Sequence, residues 1–277
     1  MEWLDALILG IVQGLAEYLP ISSSGHLEIF REILGIELPS DKVLQFDLIL
    51  HAATVLSTIV ILWPMFKKLC VSFFTFRRDY DFYYVCKILL SCIPVAIVGL
   101  CFKDTVESFF GSGLTVVGVC LLVTATLLSF AHFTGIRADR LRAQGIEKGH
   151  DITWLDAFVI GCSQAIAVLP GLSRSGTTIA TGILLGDKRD KVASFSFLMV
   201  IIPILGQALL DLKEIVTTPA AQGDNAVSAT ALMIGFAASF LVGCCACKWM
   251  INLVKKGNLI WFAVYCVIMG IICLLWQ

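Results

Sequence analysis

The stretch WLDALILGIVQGLAEYLPISSSG, residues 3–25, returns without a gap as WLDAFVIGCSQAIAVLPGLSRSG, residues 154–176. Ten of the 23 aligned pairs are identical, among them Trp3/Trp154, Asp5/Asp156, Gly10/Gly161, Gln13/Gln164, Ser22/Ser173 and Gly25/Gly176. Agreement at that level over a fixed offset of 151 positions makes the chain two copies of one unit. In each copy a short apolar helix runs into a proline, Pro20 or Pro170, and then into serines and glycines. Such a helix is too short for a hydrocarbon layer of about 30 Å. Irregular backbone at membrane depth survives only inside protein or beside a wet cavity, so each segment reads as a re-entrant hairpin.

Composition places the whole chain in a bilayer. Hydrophobic residues make up 58% of 277 positions, charged residues 15%, and the mean hydropathy is +0.89, which leaves too little polar surface for a soluble core. The net charge of -1 points to no nucleic-acid partner. Eleven cysteines lie mostly in or beside apolar runs, and no CxxC pair is followed by a matching His or Cys pair, so neither a zinc framework nor disulfides are expected. The start, Met1-Glu2-Trp3, has no basic segment ahead of an apolar core, and no cleaved signal peptide is expected.

Outward from the two repeats, apolar runs at 43–63, 85–102, 113–131, 192–210, 229–247 and 259–276 predict six membrane spans. The predicted fold is an all-α polytopic membrane protein built from an inverted-topology repeat, each repeat a re-entrant helical hairpin plus three transmembrane helices. The first repeat covers 1–132 with its hairpin at 1–40, a cytoplasmic linker covers 133–152, and the second repeat covers 153–277 with its hairpin at 154–187. Three spans per repeat is an odd number, so the second copy enters the membrane from the opposite side. Basic residues collect at 67–87, 137–148 and 248–256, which that topology puts on one face, the cytoplasmic one by the positive-inside rule. The acidic loop 211–228 and both termini then lie outside. Gly99, Gly118, Gly235 and Gly243 are predicted to let helices approach closely.

The copies differ where chemistry would sit. Gln13 and Glu17, spaced i and i+4, share a helix face, and an ionisable Glu17 at this depth calls for a polar cavity. The turn Pro20-Ile21-Ser22-Ser23-Ser24-Gly25-His26 offers hydroxyls, backbone N–H groups and an imidazole. Its counterpart, Pro170-Gly171-Leu172-Ser173-Arg174-Ser175-Gly176-Thr177-Thr178, offers a guanidinium fork and N–H groups at a helix start, both suited to phosphate. Taken together they read as one phosphate-handling site, with Ser22, Ser24, Gly25, Gly171, Ser173, Ser175, Gly176 and Thr178 around the phosphate oxygens. A bland alternative pairs Arg174 with Glu17 as a structural ion pair. Gln13, Gln164, Asp47 and His51 are candidates for a supporting layer, although polar pairs in spans more often join helices. His132 and His150 read as surface residues, and Lys188, Arg189 and Lys191 as anchors of the second hairpin.

The run Q-x-x-x-E-x-x-P-x-S-S-S-G-H at 13–26 and the run P-G-x-S-R-S-G-x-T at 170–178 resemble the two signature regions of the bacterial undecaprenyl-diphosphatase family, often called the bacitracin-resistance family. With length, span number and duplication, the resemblance covers essentially the whole chain. It implies a phosphatase that removes the terminal phosphate of undecaprenyl diphosphate, a polyprenyl diphosphate lipid, and so recycles the carrier for cell-wall synthesis. It implies the bacterial cell membrane, a site facing the outer side, and dependence on a divalent cation, Mg2+ or Ca2+, bound largely through the substrate diphosphate, and it leaves a homodimer open. Carried over by residue, Ser23 or His26 attacks the phosphorus, Glu17 and His26 manage protons, and Arg174 stabilises the phosphoryl charge. Glu17 is also the implied metal ligand. The family pattern allows Glu or Gln at position 13, and Gln13 removes one carboxylate from that set.

Two rivals are weighed on the same residues. Type-2 phosphatidic acid phosphatases also have an SGH element, but no arginine here precedes a proline and no histidine follows Arg174. A translocase for an anionic lipid would share the inverted repeat and use Arg174, yet it has no need of Glu17 and His26 beside a serine.

Overall fold

The computed structural model describes residues 1–102, 105, 109, 113–146, 149–217 and 227–276. Twelve helices occur among them: α1 (Trp3–Ala16), α2 (Ser23–Leu34), α3 (Ser40–Ile61), α4 (Trp63–Phe74), α5 (Tyr80–Cys101), α6 (Leu114–Ala143), α7 (Trp154–Ile166), α8 (Arg174–Leu184), α9 (Arg189–Met199), α10 (Ile201–Thr217), α11 (Ala229–Lys256) and α12 (Ile260–Leu275). The chain is therefore an all-helical membrane protein with several crossings. Among the described residues five stretches are long and apolar enough to span: Lys42–Ile61, Tyr80–Cys101, Leu114–Leu141, Arg189–Leu209 and Ala229–Lys256. Large apolar side chains such as Phe130, Leu209, Met233, Leu241 and Trp261 face outward, as a lipid-embedded surface requires.

The helices depart from the predicted pattern of six spans in several places. The last run forms a helix of 16 residues, Ile260–Leu275, about 24 Å long at 1.5 Å per residue and so short of a full crossing. The run at 192–210 is broken into α9 and α10 at Val200. Pro203 has no N–H to give the Met199 carbonyl, which instead accepts from Cys92 Sγ at 3.5 Å. The basic stretch 67–87 begins in helix α4, which tolerates Pro64 because it stands in the first turn, and ends in α5. Helix α6 also runs on to Ala143, so the segment expected as a linker from 133 begins as helix. The acidic loop expected at 211–228 begins as the end of helix α10, which runs to Thr217, and its positions 218–226 lie outside the described residues.

Both repeat segments fold as helix, turn, helix: α1 to α2 and α7 to α8. Each opens on a capping box, Glu2 with Asp5 and Thr153 with Asp156, in which a side chain at either end holds the other's backbone N–H. The hairpins pack on helices of the opposite half, α1 against α11 and α7 against α5, while α6 and α12 pack on each other. Small residues allow these crossings. A Cβ on Gly10 would lie 2.5 Å from the Gly235 carbonyl oxygen, and one on Gly161 would strike the Ser91 carbonyl. Gly118, Gly235 and Gly243 stand at such contacts, whereas Gly99 faces open space.

One end of the bundle gathers the basic segments. Lys87 Nζ donates to the Ile152 carbonyl at 2.7 Å, Arg189 pairs with Asp139 at 2.8 Å, and His132 Nδ1 lies 3.0 Å from the Gly257 carbonyl. The predicted anchors Arg189 and Lys191 are in this group, Lys191 over the Tyr80 ring.

Candidate active site

The two turns meet. Ser175 Oγ donates to the Leu19 carbonyl at 3.1 Å, and Cβ atoms built on Gly25 and Gly176 would come within 3.1 Å of Gly171 and Pro20. Each turn ends in a serine that caps the next helix: Ser22 Oγ accepts from Gly25 N at 3.3 Å, and Ser173 Oγ from Gly176 N at 3.1 Å. Two helix N-termini, those of α2 and α8, are thereby brought to one place with their positive dipole ends.

Glu17 is the hub. Its carboxylate, 8% exposed, accepts from Ser23 Oγ at 2.8 Å and from Gln13 Nε2 at 3.0 Å, both on Oε2. Arg174 Nη1 approaches Oε1 at 3.4 Å, and His51 Nε2 stands 3.8 Å from Oε2. A carboxylate this buried is tolerable only with such partners. Arg174 remains 32% exposed and commits a single nitrogen to a loose contact, so its fork keeps donors for another anion. The ion pair with Glu17 therefore does not use up the guanidinium. Glu17, Tyr18, Thr54, Thr58, Arg174 and Ser175 line a cleft beside this group.

Other predicted residues take different places. His26 is buried with both ring nitrogens engaged, Nδ1 2.8 Å from the Ser22 carbonyl and Nε2 2.7 Å from Tyr265 Oη. Ser24 touches Ser22 Oγ at 3.5 Å, and Thr178 Oγ1 bonds the Arg174 carbonyl at 2.9 Å and Ser196 Oγ at 2.6 Å. His51 turns Nδ1 to the Asp47 carbonyl at 2.7 Å, but the Asp47 carboxylate pairs with Arg31. Gln164 is buried with neither amide atom bonded among the described residues, unlike its repeat mate Gln13. His150 is no plain surface residue: it faces Asp156 and Asp187. Its neighbours in sequence are polar loop residues, which gave no hint of carboxylates brought in by folding.

Tyr265, Tyr18 and Arg31 were missed by reading the sequence. Tyr18 donates to the Thr54 carbonyl at 2.6 Å and meets the Ser57 and Thr58 hydroxyls, which ties the Glu17 helix end to α3. A signal for Tyr265 did exist, because its phenol is a polar group in an otherwise apolar helix and calls for a partner.

The donor set bears on a divalent cation. Among the described residues no third His, Cys, Asp or Glu joins Glu17 and His51 within ligand distance. With Gln13 in place of a carboxylate, a cation here fits only if the substrate's own oxygens complete its shell.

The profile of the bacitracin resistance protein BacA family matches residues 6–272. An undecaprenyl-diphosphatase of Bacteroides fragilis is 53% identical over 272 residues, which cover 98% of this chain and 97% of that protein. One of Parabacteroides distasonis is 53% identical over 272 residues, with the same 98% and 97% coverage. One of Bacteroides thetaiotaomicron is 51% identical over 277 residues, the full length of both.

Proposed function

The chain belongs to the bacitracin resistance protein BacA family, and on that premise we propose that it is an undecaprenyl-diphosphatase, releasing inorganic phosphate and leaving undecaprenyl phosphate. The observation that carries the chemistry is Ser23 Oγ held 2.8 Å from Glu17 with Arg174 on the carboxylate's other oxygen. Serine is a weak nucleophile until a base takes its proton, and Glu17 is that base. Ser23 Oγ forms a bond to the terminal phosphorus, and the bridging P–O bond breaks to release undecaprenyl phosphate. Water then attacks the phosphoserine, its P–Oγ bond breaks as the proton on Glu17 returns to Ser23, and the water's own protons leave on inorganic phosphate as dihydrogen phosphate. Arg174 and the N–H groups at the starts of α2 and α8 stabilise charge on the phosphoryl oxygens. His26, with both nitrogens occupied, holds the turn and serves as the nucleophile only if those bonds break.

A Mg2+ or Ca2+ ion bound through the diphosphate would neutralise phosphate charge, with Glu17 as its protein ligand. The two halves are related by inversion, 1–132 against 153–277, in keeping with the exchanged packing of α1 on α11 and α7 on α5. The basic end of the bundle faces the cytoplasm and the site opens to the outer side of the cell membrane.

The direct test is phosphate release from a polyprenyl diphosphate by the pure protein in detergent, with Mg2+ or Ca2+ and then with chelator. Lipid binding without release under every condition would leave a carrier. Sidedness is tested by single cysteines in a cysteine-depleted background: one at Gly223 should react with an impermeant thiol reagent in intact cells and one at Gln144 should not. The reverse pattern moves the site to the cytoplasmic face.

A further inference from the structure

At the foot of the second hairpin, Asp187 is 1% exposed and neither carboxylate oxygen has a hydrogen-bond partner among the described residues. An ionised group so placed is costly without a cation. The adjacent Lys188 turns away, to Asp151 at 2.8 Å. What faces Asp187 is His150, its Nδ1 3.1 Å from Asp187 Oδ1 and 3.6 Å from Asp156 Oδ2. These ligand atoms all lie within 4.8 Å of one another. Tetrahedral coordination at about 2.1 Å per bond spaces its ligands about 3.4 Å apart, midway between the two observed edges. His150 Nε2 lies 3.2 Å from the Leu185 carbonyl, a bond that keeps the proton on Nε2 and leaves the Nδ1 lone pair to the carboxylates.

We propose that His150, Asp156 and Asp187 bind one divalent ion of the zinc class, clamping together the two ends of the hairpin that carries Arg174. A mixed imidazole and carboxylate set suits zinc over the oxygen-seeking magnesium. His150, 47% exposed, leaves a path for the ion and a fourth position for water. The rival is a protonated His150 that donates to the Leu185 and Asp151 carbonyls, the latter 3.3 Å from Nδ1, and holds no metal.

The test uses the purified full chain in detergent, stripped with chelator, loaded with Zn2+ and desalted. One equivalent should be retained by the wild type and by Glu17→Gln, which separates this ion from any at the phosphate site. Asp187→Asn and His150→Gln should each lose it, and only proteins that retain zinc should gain melting temperature from it. Co2+ in its place should give the visible absorption of a four-coordinate nitrogen and oxygen site. No retained ion, or an equal amount retained by both variants as cysteine ligation would give, overturns the proposal. Should Asp187→Asn fail to fold, His150→Gln decides alone, because its half-exposed side chain can be replaced without opening the core.

Discussion

The two turns share a cap and differ in where they bend. In the second, the left-handed residue is Gly171, at φ 88°, where a Cβ would in any case come within 2.6 Å of Val117. In the first, Pro20 stands at the position corresponding to Gly171, and the left-handed residue is Ser22, at φ 71°. A non-glycine residue there costs about 1–3 kcal/mol. The second turn is thus a relaxed cradle carrying a cation, and the first is a strained one that presents a serine to a carboxylate. Duplication supplied one frame, and on the mechanism proposed above the strained copy carries the reactive group and the relaxed copy the electrostatic one.

The sharpest way to break that division is to disable the strained copy. Ser23→Ala and Glu17→Gln are each expected to lower single-turnover phosphate release at least about 10³-fold, as for members of a nucleophile and base pair. The double variant should be scarcely worse than the poorer single one, because either loss already stops the step. Multiplying losses would separate Ser23 from Glu17. Full activity in Ser23→Ala alone would shift the nucleophile to His26.

On the relaxed copy the expected loss is smaller. Arg174→Ala removes donors aimed at developing charge, a loss of about 10²–10³ in turnover. Arg174→Lys keeps the charge without the planar fork and should recover only part of it. Both should remain folded, with melting temperatures near the wild type's. Normal turnover by the alanine variant would reduce Arg174 to the Glu17 ion pair alone.

How much of this was legible follows from how far apart the contributing residues lie. The helix-turn-helix hairpins and the opposed Glu17 and Arg174 were readable because the repeat aligns them and each sits within a few residues of its motif. The broken span was less so, since Pro203 lies in an apolar run that hydropathy reads as continuous. Tyr265 stands 239 positions from His26, and Arg31 meets Asp47 across two helices, so neither contact leaves a periodic trace. The Asp187 cluster was hidden for the same reason: His150 reads singly as a surface residue, and Asp156 and Asp187 lie 6 and 37 positions from it.

Packing tests the likeness of the halves directly. Gly10→Ala and Gly161→Ala each force a methyl group against a carbonyl of the partner helix, and overpacking of that kind costs about 1–3 kcal/mol. Denaturant unfolding in mixed micelles should register similar losses for the two, with turnover per folded molecule little changed. A loss at one position only would mean that the halves no longer share their mode of packing.

The smallest expected effect concerns the link that ties the strained turn to the far end of the chain. His26 Nδ1 faces the Ser22 carbonyl, an acceptor, so the neutral ring carries its proton there and Nε2 accepts from the Tyr265 hydroxyl. Tyr265→Phe deletes that one bond and keeps the ring stacked near His26, whose centroid is 5.6 Å away. A hydrogen bond of this type contributes about 1 kcal/mol, so a loss of about fivefold in kcat is expected, with KM unchanged because no contact to the lipid is removed. If the phenol acts through His26, Tyr265→Phe should cost nothing further in a His26→Gln background. An effect of equal size in both backgrounds would show that the hydroxyl matters only to the packing of α12, and that the strained turn is held in place by its own residues alone.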